Sequence, residues 1–252
     1  PVLGAQWSGF NIEQVGHIAL CIDLTYFALK ELINAISESI LPRLIQLKAQ
    51  NNRSAVHTLI SSNYRFVNLA GIYLIALGIP LAPAFLLMLG DQFYYITPAL
   101  QWMLVALLFS CLNVIHNHVL FINDAITKFV ICQLVGLATL IFLFFLVSQN
   151  QLSAFKLVMT LAGSMLAVSL SSYLFSLKYI KSTTSIYYFI RLIPAAITCF
   201  SLLWFWQPRG ILMSLIAGLL TSVLYVLMVL LFKGIANNDI QAIKKIFGFN
   251  KE

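Results

Sequence analysis

Seven stretches of this chain are predominantly apolar for 19 residues or more, and segments of that kind have few ways to fold. They run over residues 15–41, 66–89, 98–122, 129–147, 157–175, 186–206 and 211–232. About 20 helical residues cross a hydrocarbon core of about 30 Å. Inside lipid every backbone N–H and C=O needs a partner within the protein, which leaves helices or a closed barrel. These Leu-, Ile- and Phe-rich runs lack the polar alternation of a barrel strand. Burial of the same runs in a water-soluble domain fails on composition. The chain is 61% hydrophobic and 9% charged, whereas a soluble domain covers its surface with about 25% charged residues. The expected fold is therefore an all-α integral membrane protein with about seven transmembrane helices.

The charges that remain are unevenly placed. Twelve Lys and Arg residues, from Arg43, Lys48, Arg53 and Arg65 through Lys128, Lys178, Lys181 and Arg191 to the C-terminal lysines, fall on one set of connections. The other set holds Lys156 and Arg209. Positive residues collect on the cytoplasmic side, so the first set and the C-terminus are expected there. Tyr94, Tyr95, Trp102, Trp204 and Trp206 fall near the outer face, and Tyr64, Tyr179 and Tyr188 near the inner one, as interfacial aromatics do. The net charge of +7 thus reports membrane orientation and calls for no nucleic acid partner. Residues 1–14 are expected outside, residues 15–233 form the helical lobe, and residues 234–252 are a cytoplasmic tail. In that tail Ile240, Ile243 and Phe247 share a helical face beside Lys244 and Lys245, the pattern of an interfacial helix. A start on the outer side implies that upstream helices precede Pro1. The four cysteines stand singly in apolar runs, which suits inert buried thiols rather than a metal or disulfide framework.

The first span departs from membrane composition. Asp23, Lys30, Glu31, Asn34, Ser37 and Glu38 all precede Pro42. At 100° per residue Asp23, Lys30, Asn34 and Ser37 fall within about 40° of one direction, with Glu31 and Glu38 at its edge. Lys30 lies about 22 Å along the helix from Val15, near mid-membrane. A charge at that depth costs about 2.5–3.5 kcal/mol on insertion scales, so the row should face water or protein. It either makes an interhelical ion pair or lines a cavity in which Lys30 holds an anionic group, with Glu31 and Glu38 as candidate proton carriers. On the third span Asn113, His116 and Asn117 share a face. They are expected to bond to neighbouring helices, with cavity lining as the alternative. His116 and His118 diverge on a helix, which disfavours a metal site. Pro80 and Pro83 are expected to kink the end of the second span, and Ser169, Ser171 and Ser172 to serve close helix packing.

A long helix opening at Gly16-His17-Ile18-Ala19 and closing at Ile40-Leu41-Pro42-Arg43-Leu44 is followed by a polar segment around Arg43–Arg65 and the Pro83 turn. Next come Phe85-Leu86-Leu87-Met88-Leu89-Gly90-Asp91-Gln92-Phe93-Tyr94 and a further helix from Pro98. This order resembles the C-terminal half of Wzx-type polysaccharide flippases, in the superfamily that includes MurJ and the MATE exporters. His17 stands where those relatives often carry an aromatic residue. The resemblance implies two lobes around a central cavity, of which this chain would supply the second, and a missing N-terminal lobe. It also implies transport of undecaprenyl-diphosphate-linked oligosaccharide across a bacterial or archaeal cytoplasmic membrane, with coupling to a proton or sodium ion, no cofactor and no bond made or broken. Lys30 would attract the diphosphate. A MATE-type drug or cation antiporter shares the architecture, but its cavity favours acids without a central lysine. A membrane-embedded polysaccharide polymerase or ligase would need a larger outer loop than Gly90–Thr97, Ser148–Ser153 or Gln207–Gly210.

Overall fold

The structure, a computed structural model, describes residues 16–17, 19–20, 22–25, 31–148, 153–179, 183–208 and 210–234, with side chains omitted at 31–39, 154 and 183–187. Among the described residues the chain is helical throughout, with no strand. Seven helices follow one another: α1 (Glu31–Ala49), α2 (Arg53–Leu89), α3 (Thr97–Ile122), α4 (Ile126–Ser148), α5 (Ala154–Ser176), α6 (Thr183–Trp206) and α7 (Ile211–Leu231). A 3-10 turn, Asp91–Ile96, joins α2 to α3. Six helices, α2 to α7, are long and apolar enough to cross a membrane, as a multi-pass membrane protein requires. The first expected span falls largely outside the described residues, and so does the tail beyond residue 234.

Two boundaries differ from the sequence reading. Pro42 does not close the first helix, because α1 runs through it to Ala49. The stop comes at Asn51, in the left-handed region at φ 55°. There Asn51 N–H bonds to the Lys48 carbonyl at 2.9 Å and Asn52 N–H to the Leu47 carbonyl at 3.1 Å, a paired closure of the last turn. The same closure ends α3 at Asp124 and α7 at Lys233, both at positive φ. Next, the polar segment 43–65 is helical apart from Gln50–Asn52. The Asn52 carboxamide caps α2 by accepting from Ala55 N–H at 3.1 Å. Helix α2 therefore has 37 residues, about 55 Å of rod, and turns at Gly90 rather than at Pro83.

Prolines inside α2 leave carbonyls without their usual donors. Pro83 has no N–H for the Ile79 carbonyl one turn earlier, and the Gln101 side chain of α3 donates to that oxygen at 3.0 Å. Glycines set how closely α2 and α3 approach. A Cβ on Gly71 would stand 2.3 Å from the Leu108 Cδ1, and one on Gly78 2.9 Å from the Leu104 Cδ1. Two leucines one turn apart on α3 thus seat on two glycines of antiparallel α2. Helix α4 is tied on by a similar contact. Its buried residues are Cys132 and Gly136, and a Cβ on Gly136 would meet Val168 of α5 at 2.1 Å.

The packing order follows from these faces. Helix α5 lies between α4 and α3, α3 against α2, and α2 against α6 and α7, with α1 across α2 and α3. Helix α7 turns Ser214, Ala217, Thr221, Tyr225 and Val229 inward, every third or fourth residue. Tyr225 donates to the Leu69 carbonyl at 3.0 Å, and Tyr73 and Ser222 pair at 2.7 Å. The outer faces of α4 and α7 present Leu134, Leu137, Phe145, Leu212, Leu219 and Leu231. Side chains of that kind suit contact with acyl chains.

Candidate functional site

Short antiparallel connections bring all the described basic side chains except Lys156 toward one end of the bundle. Lys48 at the end of α1 bonds Asp124 in the α3–α4 turn at 2.7 Å. Lys128 donates to the Tyr179 hydroxyl at 3.1 Å, and the Arg65 guanidinium lies 5.2 Å from the centre of the Tyr188 ring. The last two contacts hold cationic heads against aromatic rings.

The charged row predicted for the first span is only partly in view. Lys30 lies outside the described residues. Glu31, Asn34, Ser37 and Glu38 stand on the described backbone of α1, without described side chains. Asp23 is exposed. The segments flanking the row are anchored at opposite ends of the bundle. Leu20, Ile22 and Leu24 pack on Leu86, Ile96 and Leu100, while Leu44 is buried among Ile60, Tyr64 and Val119. His17 sits edge-on to Phe93 and Tyr95, with ring centroids at 4.9 and 5.0 Å, and bonds the Tyr95 hydroxyl. The residue that departs from the resembled pattern thus occupies an aromatic niche.

The second candidate group forms a polar seam between α2, α3 and α5. His116 is buried, bonded to the Tyr64 hydroxyl and, at 2.9 Å, to Ser176 Oγ, with the Tyr173 ring 5.4 Å away edge-on. Ser172 donates to Asn117 Oδ1 at 3.5 Å, and Ser169 to the Phe109 carbonyl at 2.6 Å. Ser171 bonds back to its own helix, at the Val168 carbonyl. His116 and Asn117 therefore bond to neighbouring helices, and Ser169 and Ser172 tie α5 to α3. Asn113 Oδ1 is buried with no partner among the described residues, as are Asn63 Oδ1 and Asn68 Oδ1 of α2. Sequence reasoning places Tyr64 in an interfacial belt and passes over Ser176. Their pairing with His116 spans 52 and 60 residues, which no local spacing reports.

No protein family, curated protein or solved structure matches this chain. The site therefore has to be read from its own chemistry. Among the described residues no three His, Cys, Asp or Glu side chains gather where a metal ion would bind. What the geometry offers is a set of membrane-length helices joined by buried neutral hydrogen bonds, with a charged segment laid across α2 and α3.

Proposed function

We propose that this chain forms one lobe of a polytopic membrane transporter that moves a polyprenyl-diphosphate-linked oligosaccharide between leaflets of a prokaryotic cytoplasmic membrane. The observation that carries the reading is the row Asp23, Lys30, Asn34 and Ser37, with Glu31 and Glu38 at its edge, in a membrane-length segment. Ionisable residues at that depth face a cavity or a partner, since lipid exposure costs several kcal/mol. The anchors on either side support the depth. About 20 residues separate Leu24 from Leu44, the number that crosses a hydrocarbon core when helical. A fixed cation there lowers the electrostatic cost of carrying a diphosphate across. The basic end is the cytoplasmic one on this reading.

The test uses the full-length protein in cells that depend on it for surface glycan. Lys30→Ala should cut glycan export, and Lys30→Arg should restore part of it by keeping the charge. Normal export in Lys30→Ala removes the assigned role. Cysteines placed singly from Asp23 to Glu38 should react with a water-borne thiol reagent along one stripe, and uniform protection removes the cavity.

A further inference from the structure

At the end of the bundle opposite the basic one, the helices part around a pocket of about 1030 Å³. Its walls come from the last turns of α2, the start of α3, the end of α6 and the α6–α7 turn. Pro80 and Pro83 on the α2 wall fall in the same stretch as the Ile79 carbonyl, which accepts from Gln101. From Pro80 to Met88 the wall is about 12 Å deep. Leu203, fully buried, closes the inner end.

We propose that this pocket binds an uncharged stretch of glycan. Three aromatic rings with half-exposed faces, Tyr94, Tyr95 and Trp204, line it. Two amide side chains stand at different depths, Gln101 within and Gln207 at the mouth. Among the described lining residues none is charged. Sugar rings match that lining, because their C–H faces lie against aromatic faces while hydroxyls at their edges exchange hydrogen bonds with amides. An acyl chain leaves both amides unanswered.

The lining is also held in place before any ligand arrives. Gln101 keeps its amide nitrogen on the Ile79 carbonyl, which leaves its carboxamide oxygen without a partner among the described residues. Tyr95 is fixed through its hydroxyl by His17, and Trp204 stacks on Phe200 at 5.6 Å and 12°. Fixed groups lose little freedom when they bind. Tyr and Trp at a membrane interface are common; convergence of three on one cavity with two amides is what an interfacial belt does not require. The inference rests on the transport reading for its substrate class and adds where the sugar portion docks.

The experiment is saturation-transfer NMR on the full chain in lipid nanodiscs, with cellobiose, chitobiose and maltose as probes. At least one disaccharide should receive saturation. The signal should fall about fivefold in Trp204→Ala, the effect of removing one aromatic contact, and comparably in Gln207→Ala. Trp102→Ala, an exposed aromatic outside the pocket, should leave it unchanged. No transfer to any probe, or transfer that survives both pocket variants, overturns the proposal. Loss of co-purified phospholipid in Trp204→Ala without any sugar signal identifies a lipid groove and overturns it too. Lys30→Ala should keep the sugar signal whatever it does to export, so each reading fails by its own result.

Discussion

Replacing Gln101 with leucine removes the donor that answers the Ile79 carbonyl, and the cost can be reasoned from the bond itself. The amide–carbonyl contact is 3.0 Å long and joins half-buried α3 to a proline-interrupted stretch of α2. A buried acceptor left without a partner costs about 1–3 kcal/mol. Interhelical bonds measured in membranes average about 0.6 kcal/mol and reach about 1.7. Gln101→Leu should therefore destabilise the protein by about 1–1.5 kcal/mol, measured as the shift in unfolding equilibrium of the chain in mixed micelles on titration with a denaturing detergent. The decisive arm is a double-mutant cycle. Pro83→Ala supplies a backbone N–H one turn after Ile79, so that the carbonyl closes an ordinary helical bond. In that background Gln101→Leu should cost less than about 0.5 kcal/mol, a departure from additivity expected of groups sharing one partner. An equal cost in both backgrounds would refute the reasoning that ties Gln101 to the proline.

Two further outcomes follow from the packing. Gly136→Val should detach α4 from α5, since even a Cβ would lie 2.1 Å from Val168; overpacking of this kind costs about 1–3 kcal/mol, and unchanged unfolding would show that α4 is seated elsewhere. Tyr64→Phe keeps the ring and removes the hydroxyl from buried His116, so a loss of about 1 kcal/mol is expected, with His116→Leu in the same chain abolishing most of that difference.

The parts of this fold that were legible in the sequence are those written in local hydrophobicity. The spans expected over 98–122, 129–147, 157–175, 186–206 and 211–232 each lie within about three residues of α3 to α7 at either end, because lipid selects uninterrupted apolar runs. The start of α2 was not legible in the same way. Residues 53–65 are a polar helix carrying two arginines, and hydropathy sees only the part that lipid covers. Pro42 misleads for a related reason: a proline removes one helical bond, whereas the stop at Asn51 needs a left-handed backbone and two crossed bonds that no single residue type announces. In the candidate site, the helical phase of Asn113, His116 and Asn117 was readable from spacing. Their partners Tyr64, Ser172 and Ser176 belong to other helices, and pairing across 50 residues or more is settled by tertiary packing. The charged row of the first span is legible as a pattern, while Lys30 itself lies beyond what the structure describes.

The length of α2 has a mechanical consequence. A 37-residue helix exceeds the hydrocarbon thickness by about 25 Å, so an upright rod carries several turns beyond the lipid. One stiff lever then connects the hairpin at Asn52 with Met88 at the opposite mouth. With Gly71 near its middle as fulcrum, a rocking of about 5° would displace Met88 by about 2 Å, given the roughly 25 Å of helix between them. Force applied at the basic surface would reach the far side through the single stretch interrupted by Pro80 and Pro83, which Gln101 braces.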